Sequence, residues 1–288
     1  MHLCSIGDLS DDEIRNILDQ AARFQAEPHA QPDLLRGHIV ATAFFEPSTR
    51  TRLSFETAAL RLGAGVVGFS DGQNTSAAKG ETLEDSTRVL SGYADVLVLR
   101  HPEKGAAKRA AAVADVPVIN AGDGTGEHPT QTLLDLFTMR QNLGHLRGRK
   151  IAVLGDLRYG RTVHSLVPAL HRLGADVVQV PAAGLEFPTD VADIPEVTLE
   201  QAAATCDVLY VTRVQKERMA EAPDRPIILD RALLASTGSQ AIVMHPLPRV
   251  DEVAVDLDDH PAAKYFEQAR NGVPVRMAVL AHLLGVSS

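Results

Sequence analysis

The sequence contains no tryptophan, only four tyrosines and eight phenylalanines, and just two cysteines. Few rings and a net charge of −9 argue against a nucleic-acid surface, which needs a basic stripe and stacking aromatics. Cys4 and Cys206 lie far apart and outside any Cys-x-x-Cys or Cys/His cluster, so neither a disulfide framework nor a zinc site is indicated. An inert buried thiol is expected for each. No apolar stretch approaches the roughly 20 residues that span a bilayer, and the acidic N-terminus lacks the basic flank and apolar run of a secretory signal. A cytoplasmic protein with small-molecule ligands is expected, with no nucleic acid and no membrane.

What is present is apolar material for two ordinary domains: 288 residues, 45% of them hydrophobic. From residue 38 onward, short β-branched runs alternate with amphipathic stretches, the pattern of parallel sheets with crossover helices. The predicted class is α/β, with two lobes, each a parallel sheet flanked by helices, joined by interdomain helices. Strands are expected at His38–Phe45, Gly65–Phe69, Asp95–Leu99 and Pro117–Asn120, then at Lys150–Gly155, Asp176–Val180, Asp207–Thr212, Pro226–Leu229 and Ala241–Met244. The first lobe is assigned residues 1–130, a linking helix and turn 131–149, and the second lobe 150–272. Two helices, Ala262–Arg270 and Val273–Leu284, are expected at the end, the chain from 273 to 288 packing back on the first lobe.

Ligands of open parallel sheets bind at the carboxyl ends of strands, so the residues that follow each strand carry the functional signal. Six of those ends hold Arg, His, Gln or hydroxyls, a convergence of positive charge that suits an anionic ligand. Ser48-Thr49-Arg50-Thr51-Arg52 opens a helix, where free N–H groups and the macrodipole already make arginine unfavourable unless an anion binds. A phosphate on those N–H groups, closed over by Arg50, accounts for the pattern; a simple Ser/Thr cap with two solvated arginines is the plainer account. No G-x-x-x-x-G-K-[ST] occurs, and G-D-L-R-Y-G-R at 155–161 lacks the third glycine of a dinucleotide fingerprint. His128, just before Pro129, stands where it can donate to a carbonyl oxygen. Pro246 and Pro248 remove N–H donors around Leu247 and leave carbonyls for an amine. Lys79 alone reads as a solvated loop charge.

Taken together, these segments resemble the aspartate/ornithine carbamoyltransferases, and the aspartate branch in particular. The likeness rests on FFEPSTRTRLSFETA at 44–58, KGETLEDS at 79–86, RHPEKGAA at 100–107, NAGDGTGEHPTQTLLDLFT at 120–138, GDLRYGRTVHSL at 155–166, YVTRVQKER at 210–218, HPLPRVDEV at 245–253 and NGVPVRMAVL at 271–280. It implies transfer of a carbamoyl group from carbamoyl phosphate to the amino group of aspartate, an early step of pyrimidine biosynthesis. No metal and no organic cofactor is implied. By this resemblance Ser48, Thr49, Arg50, Thr51 and Arg100 bind the phosphate and Gln131 the carbamoyl amino group. Thr51, Arg100 and His128 share the carbonyl oxygen. Arg161, Arg213, Gln215, Pro246, Leu247 and Lys79 bind aspartate, and Glu46 is a tether between lobes. The resemblance further implies a homotrimer with shared active sites, Ser76 and Lys79 coming from the neighbouring chain, and leaves room for regulatory chains or other pathway subunits.

Ornithine enzymes share S-T-R-T-R and H-P-T-Q, but their counterpart of residues 245–248 resembles H-C-L-P. The H-P-L-P-R here, with Arg161, Arg213 and Gln215, favours an acceptor bearing two carboxylates. The segments Ala182–Thr198 and Met219–Leu229 look shorter than in the best-known members, which keeps a related acceptor open. A catalytically silent homologue is the other alternative, and the presence of all five expected Arg and His residues opposes it.

Overall fold

Eight short parallel strands form two sheets in the computed structural model, which describes residues 1–214 and 227–286. The first sheet contains β1 (Ile39–Phe44), β2 (Gly65–Phe69), β3 (Val96–His101) and β4 (Val118–Asp123), in the order β2-β1-β3-β4. The second contains β5 (Lys150–Gly155), β6 (Asp176–Pro181), β7 (Val208–Val211) and β8 (Ile242–Met244), in the order β6-β5-β7-β8. Parallel pairing demands long crossovers, and helices supply them. These are α2 (Thr49–Arg61), α3 (Leu83–Ser91) and α4 (Ala106–Ala111) in the first sheet, and α6 (Arg161–Arg172), α7 (Leu199–Thr205) and α8 (Arg231–Thr237) in the second. In each sheet the first crossover runs to one side and the third strand lies on the other. The order therefore reverses between β1 and β3 and between β5 and β7, the switch points at which parallel sheets open a crevice.

The chain divides into two compact units: Met1–Phe137 together with the chain from Asn271 onward, and Thr138–Arg270. Unit 1 begins with α1 (Asp11–Ala26), whose start is closed by a reciprocal capping box between Ser10 and Glu13 and whose apolar stripe buries Ile14, Ile17, Leu18, Ala21 and Phe24. Its sheet packs on small residues: Ala41, Ala43, Ala106 and Ala110 share a cluster with Leu97, Leu99 and Val118, which lets α4 lie close to β3 and β4. Unit 2 buries Leu154, Val178, Val180, Leu209, Val211 and Val243 with Tyr265. Among the described residues no helix is long and apolar enough to cross a membrane.

Three expectations are corrected. Pro226–Leu229 is not a sheet strand: Pro226 lies outside the described residues, and Leu229 makes an isolated bridge to Val253. The outer edge of β8 is instead taken by Val243 pairing with Ala263, through Val243 N–H to Ala262 and Lys264 N–H to Val243. Strands β3 and β4 extend to His101 and Asp123, beyond their predicted ends, past a register shift between Leu99 and His101. The two predicted C-terminal helices are one, α9 (Tyr265–Leu283), which continues through Pro274. A proline inside a helix costs about 3 kcal/mol, and burial of Val275 and of Met277 through Ala281 on nearly all sides outweighs it.

Both thiols are buried. Cys4 donates to the Ala107 carbonyl at 3.5 Å, and burial, helped by the Asp8 charge, pushes its pKa up to about 12; burial also raises that of Cys206. Thiolate is the reactive form, so at pH 8 neither cysteine should react with iodoacetamide in the folded protein, and both should after denaturation. Rapid labelling of either one in the native state, read by mass spectrometry, would contradict this packing.

Candidate active site

In unit 1 the strand β1 ends at Phe44 and the chain turns through Glu46 and Pro47 into α2, with Ser48 as the extended N-cap residue. The Ser48 hydroxyl makes no capping bond, and the first turn carries no acidic residue, so the open N–H groups there lack the usual compensation. The two arginines, alike in sequence, differ in fate. Arg52 is committed to Glu56 at 2.7 Å, and Glu56 also accepts from Thr42. Arg50 is exposed and forms no ion pair with a described residue; partial desolvation lowers the pKa of its guanidinium. Thr51, one residue on, is buried.

Across the switch point, Arg100 pairs with Phe44 in register and is 8% exposed. Its Nη2 donates to Glu46 at 2.6 Å and its Nη1 to the Ala121 carbonyl at 3.2 Å, so one guanidinium ties the exit of β1 to β4. Beyond β4 the turn to His128 is organised by Asp123. Its carboxylate accepts from Gly105 N–H (2.7 Å), Glu127 N–H (2.8 Å) and Asn120 Nδ2 (3.0 Å). Gly126 is required because a Cβ there would lie 2.6 Å from Asp123 Oδ1. His128 follows, buried, with its carbonyl accepting from the N–H groups of Gln131 and Thr132 at the start of α5 (Pro129–Leu143). Gln131 Nε2 donates to Asp135 Oδ1 at 2.8 Å. A carboxylate accepts, so this bond turns the amide oxygen of Gln131 elsewhere, ready for a donor. Asp135 escapes a motif-based reading, although its i, i+4 spacing from Gln131 is the signal that would have found it.

In unit 2 the loop after β5 is shaped by close backbone approach. A Cβ at Gly155, which has φ 102°, would sit 2.2 Å from the Thr212 carbonyl, and one at Gly160 would sit 2.4 Å from that of Asp156. These glycines serve packing, consistent with the missing dinucleotide fingerprint. Arg161 then opens α6, and Arg213 leaves the neighbouring strand β7 just after Thr212, whose hydroxyl donates to Leu154 at 2.8 Å. Beyond β8 come His245, Pro246 and Leu247. Among the described residues Leu247 is the one non-glycine in the left-handed region, at φ 55°, a conformation that costs on the order of 1–3 kcal/mol and persists only where surroundings impose it. Gln215 lies outside the described residues. Ser76 and Lys79 are exposed on a single 3-10 turn, and neither side chain bonds a described residue.

Each unit thus presents cations at the carboxyl edge of a parallel sheet, on both sides of its switch point, in the manner of a two-domain α/β enzyme that holds anionic small molecules. Two family models cover the chain: the aspartate/ornithine carbamoyltransferase carbamoyl-P binding domain over residues 1–141, and the aspartate/ornithine carbamoyltransferase Asp/Orn binding domain over residues 147–283. The chain belongs to the aspartate/ornithine carbamoyltransferase family. It is 50% identical to the aspartate carbamoyltransferase catalytic subunit of Chromobacterium violaceum, over 98% of this chain and 97% of that one. Among solved structures, the catalytic subunit of M. jannaschii aspartate transcarbamoylase superposes with a TM-score of 0.89 at 46% identity, over 99% and 98% of the two chains. Trypanosoma cruzi aspartate transcarbamoylase, in complex with carbamoyl aspartate and phosphate, superposes at 0.90 with 40% identity, over 100% and 96%.

Proposed function

We infer that this chain transfers the carbamoyl group of carbamoyl phosphate to the amino group of L-aspartate, giving N-carbamoyl-L-aspartate and phosphate. The observation that carries this reading is the uncapped, acid-free start of α2 bearing Arg50, set beside Arg100 on the neighbouring strand. In this reading unit 1 is the donor domain. Ser48, Thr49, Arg50, Thr51 and Arg100 take the phosphate, and Gln131, its Nε2 already engaged by Asp135, accepts from the carbamoyl amino group. The aspartate nitrogen adds to the carbamoyl carbon, and the carbonyl oxygen becomes an oxyanion held by Thr51, Arg100 and His128. Collapse breaks the bond to the phosphate oxygen; phosphate leaves with those electrons and accepts the proton of the amine. The protein's part is alignment and charge stabilisation.

Unit 2 is the acceptor domain: Arg161, Arg213 and Gln215 take the two carboxylates, while Pro246 and Leu247 offer carbonyls to the amine. A homotrimer in the cytoplasm completes the reading, with Lys79 and Ser76 reaching a neighbour's site. Support comes from the exposure of that turn and from β2, an edge strand that leaves Val67 uncovered although parallel sheets are ordinarily buried on both faces.

The acceptor is tested by phosphate release. L-aspartate should outpace L-ornithine or putrescine by about 100-fold or more, since a cationic acceptor meets like charge at Arg161 and Arg213; equal or reversed rates would overturn the assignment. Arg50→Ala should lose roughly 10- to 100-fold in affinity for inorganic phosphate while keeping its unliganded thermal midpoint. Unchanged affinity would remove Arg50 from the phosphate site. For the shared site, Lys79→Ala and His128→Ala should each be nearly inactive alone, yet regain a substantial fraction of wild-type activity when dissociated and reassembled together. A verified mixed trimer that stayed inactive would remove the neighbour's contribution.

A further inference from the structure

The segment that follows β8 is held by a hydrogen-bond chain that the reaction itself does not require. Residues 246–248 contain a single N–H, that of Leu247, because Pro246 and Pro248 have none. That N–H donates to His245 Nδ1 at 2.8 Å. The other ring nitrogen, Nε2, lies 2.7 Å from Glu252 Oε1. Both residues are buried, and Glu252 also accepts from the N–H groups of Val250 and Asp251. Burial raises the Glu252 carboxyl, but the bonds from His245 and from the backbone outweigh it and leave the pKa below its ordinary value, so Glu252 is an acceptor only. An amide N–H can only donate. The two partners together admit one form of the ring: neutral, with the proton on Nε2 and Nδ1 bare. His245 is itself anchored by its N–H to Gln268 Oε1 at 2.9 Å.

We propose that His245, oriented by Glu252, is a positioning residue for the acceptor amine: its bare Nδ1 clasps the Leu247 N–H and so aims the carbonyls of Pro246 and Leu247. In a trans peptide the N–H and C=O point in opposite directions, so fixing the Leu247 N–H on the imidazole directs the Pro246 carbonyl away from it. Leu247, held at φ 55°, then departs from that fixed plane. With the lone donor of the segment consumed, only carbonyls are left to face an ammonium or amine. The inference rests on the reading that Pro246 and Leu247 receive the aspartate nitrogen.

Two variants and one probe test it. His245→Asn keeps an acceptor at the δ position, which can take the N–H two residues on as in an Asx-turn; His245→Gln keeps a donor toward Glu252 but loses that acceptor. The Gln variant should raise KM for aspartate about tenfold, and the Asn variant should stay within about threefold of wild type, both with unchanged KM for carbamoyl phosphate. Succinate, which is aspartate without its amino group, should inhibit wild type and the Gln variant equally. Equal losses in the Asn and Gln variants, or equal loss of aspartate and succinate affinity, would reduce the imidazole to packing and overturn the proposal while leaving the acceptor assignment intact. Failure of wild type to carbamoylate aspartate would instead remove the reading beneath it. Should the variants not fold, imidazole nitrogen NMR of the wild type must find His245 protonated on Nε2 and bare on Nδ1; the opposite tautomer or a doubly protonated ring would overturn it.

Discussion

The constraint on which the rest depends is the strand order. Parallel strands can be joined only through crossovers on the sheet faces, and a chain that lays its second strand to one side and its third to the other opens a gap at the carboxyl edge. It does so twice here, between β1 and β3 and between β5 and β7. The side chains proposed for chemistry follow from that: Arg50, Arg100 and His128 leave neighbouring strands of one sheet, and Arg161, Arg213 and Leu247 those of the other. Local sequence decides which side chain each strand end carries, and topology decides that those ends are adjacent.

An acidic protein that presents cations at its strand ends needs partners for the carboxylates nearby. Several are turned inward as scaffolding. Asp123 collects two backbone N–H groups and the Asn120 amide and so shapes the turn before His128; Glu252 does the same for 250–251 while orienting His245; Asp135 sets the amide of Gln131. Glu46 and Glu56 are drawn onto Arg100 and Arg52. Arg50 forms no such pair among the described residues. A net charge of −9 and a cluster of cations at the strand ends are compatible because carboxylates near those ends hold backbone N–H groups or neighbouring side chains.

Much of the frame was legible in residue order. Strands β2 and β5 fall where β-branched runs predict them, and Pro129 marks the start of α5 because proline suits a first helical position. The misreadings share a cause. A β-branched run at 226–229 says nothing about whether a sheet edge is open, and the edge of β8 is occupied by Ala263. Pro274 reads as a helix stop, yet burial carries α9 through it. Arg50 and Arg52 stand in one motif, and what separates them is the residue four positions on, Ser54 for Arg50 and Glu56 for Arg52, a spacing that pairs the second arginine only once the helix forms.

Residue order was enough for the class of fold, the alternation of strand and helix, and the cations, histidine and prolines at the strand ends, since these are properties of periodicity and of residue type at one place in the chain. Folding in three dimensions set that Arg100 meets Glu46, that Ser48 leaves its helix uncapped, and that the His245 ring lies between Glu252 and the Leu247 N–H. Those depend on partners brought together by sheet order and by irregular loops, where no period relates one residue to the next and a hydrogen bond is set by distances of a few ångströms.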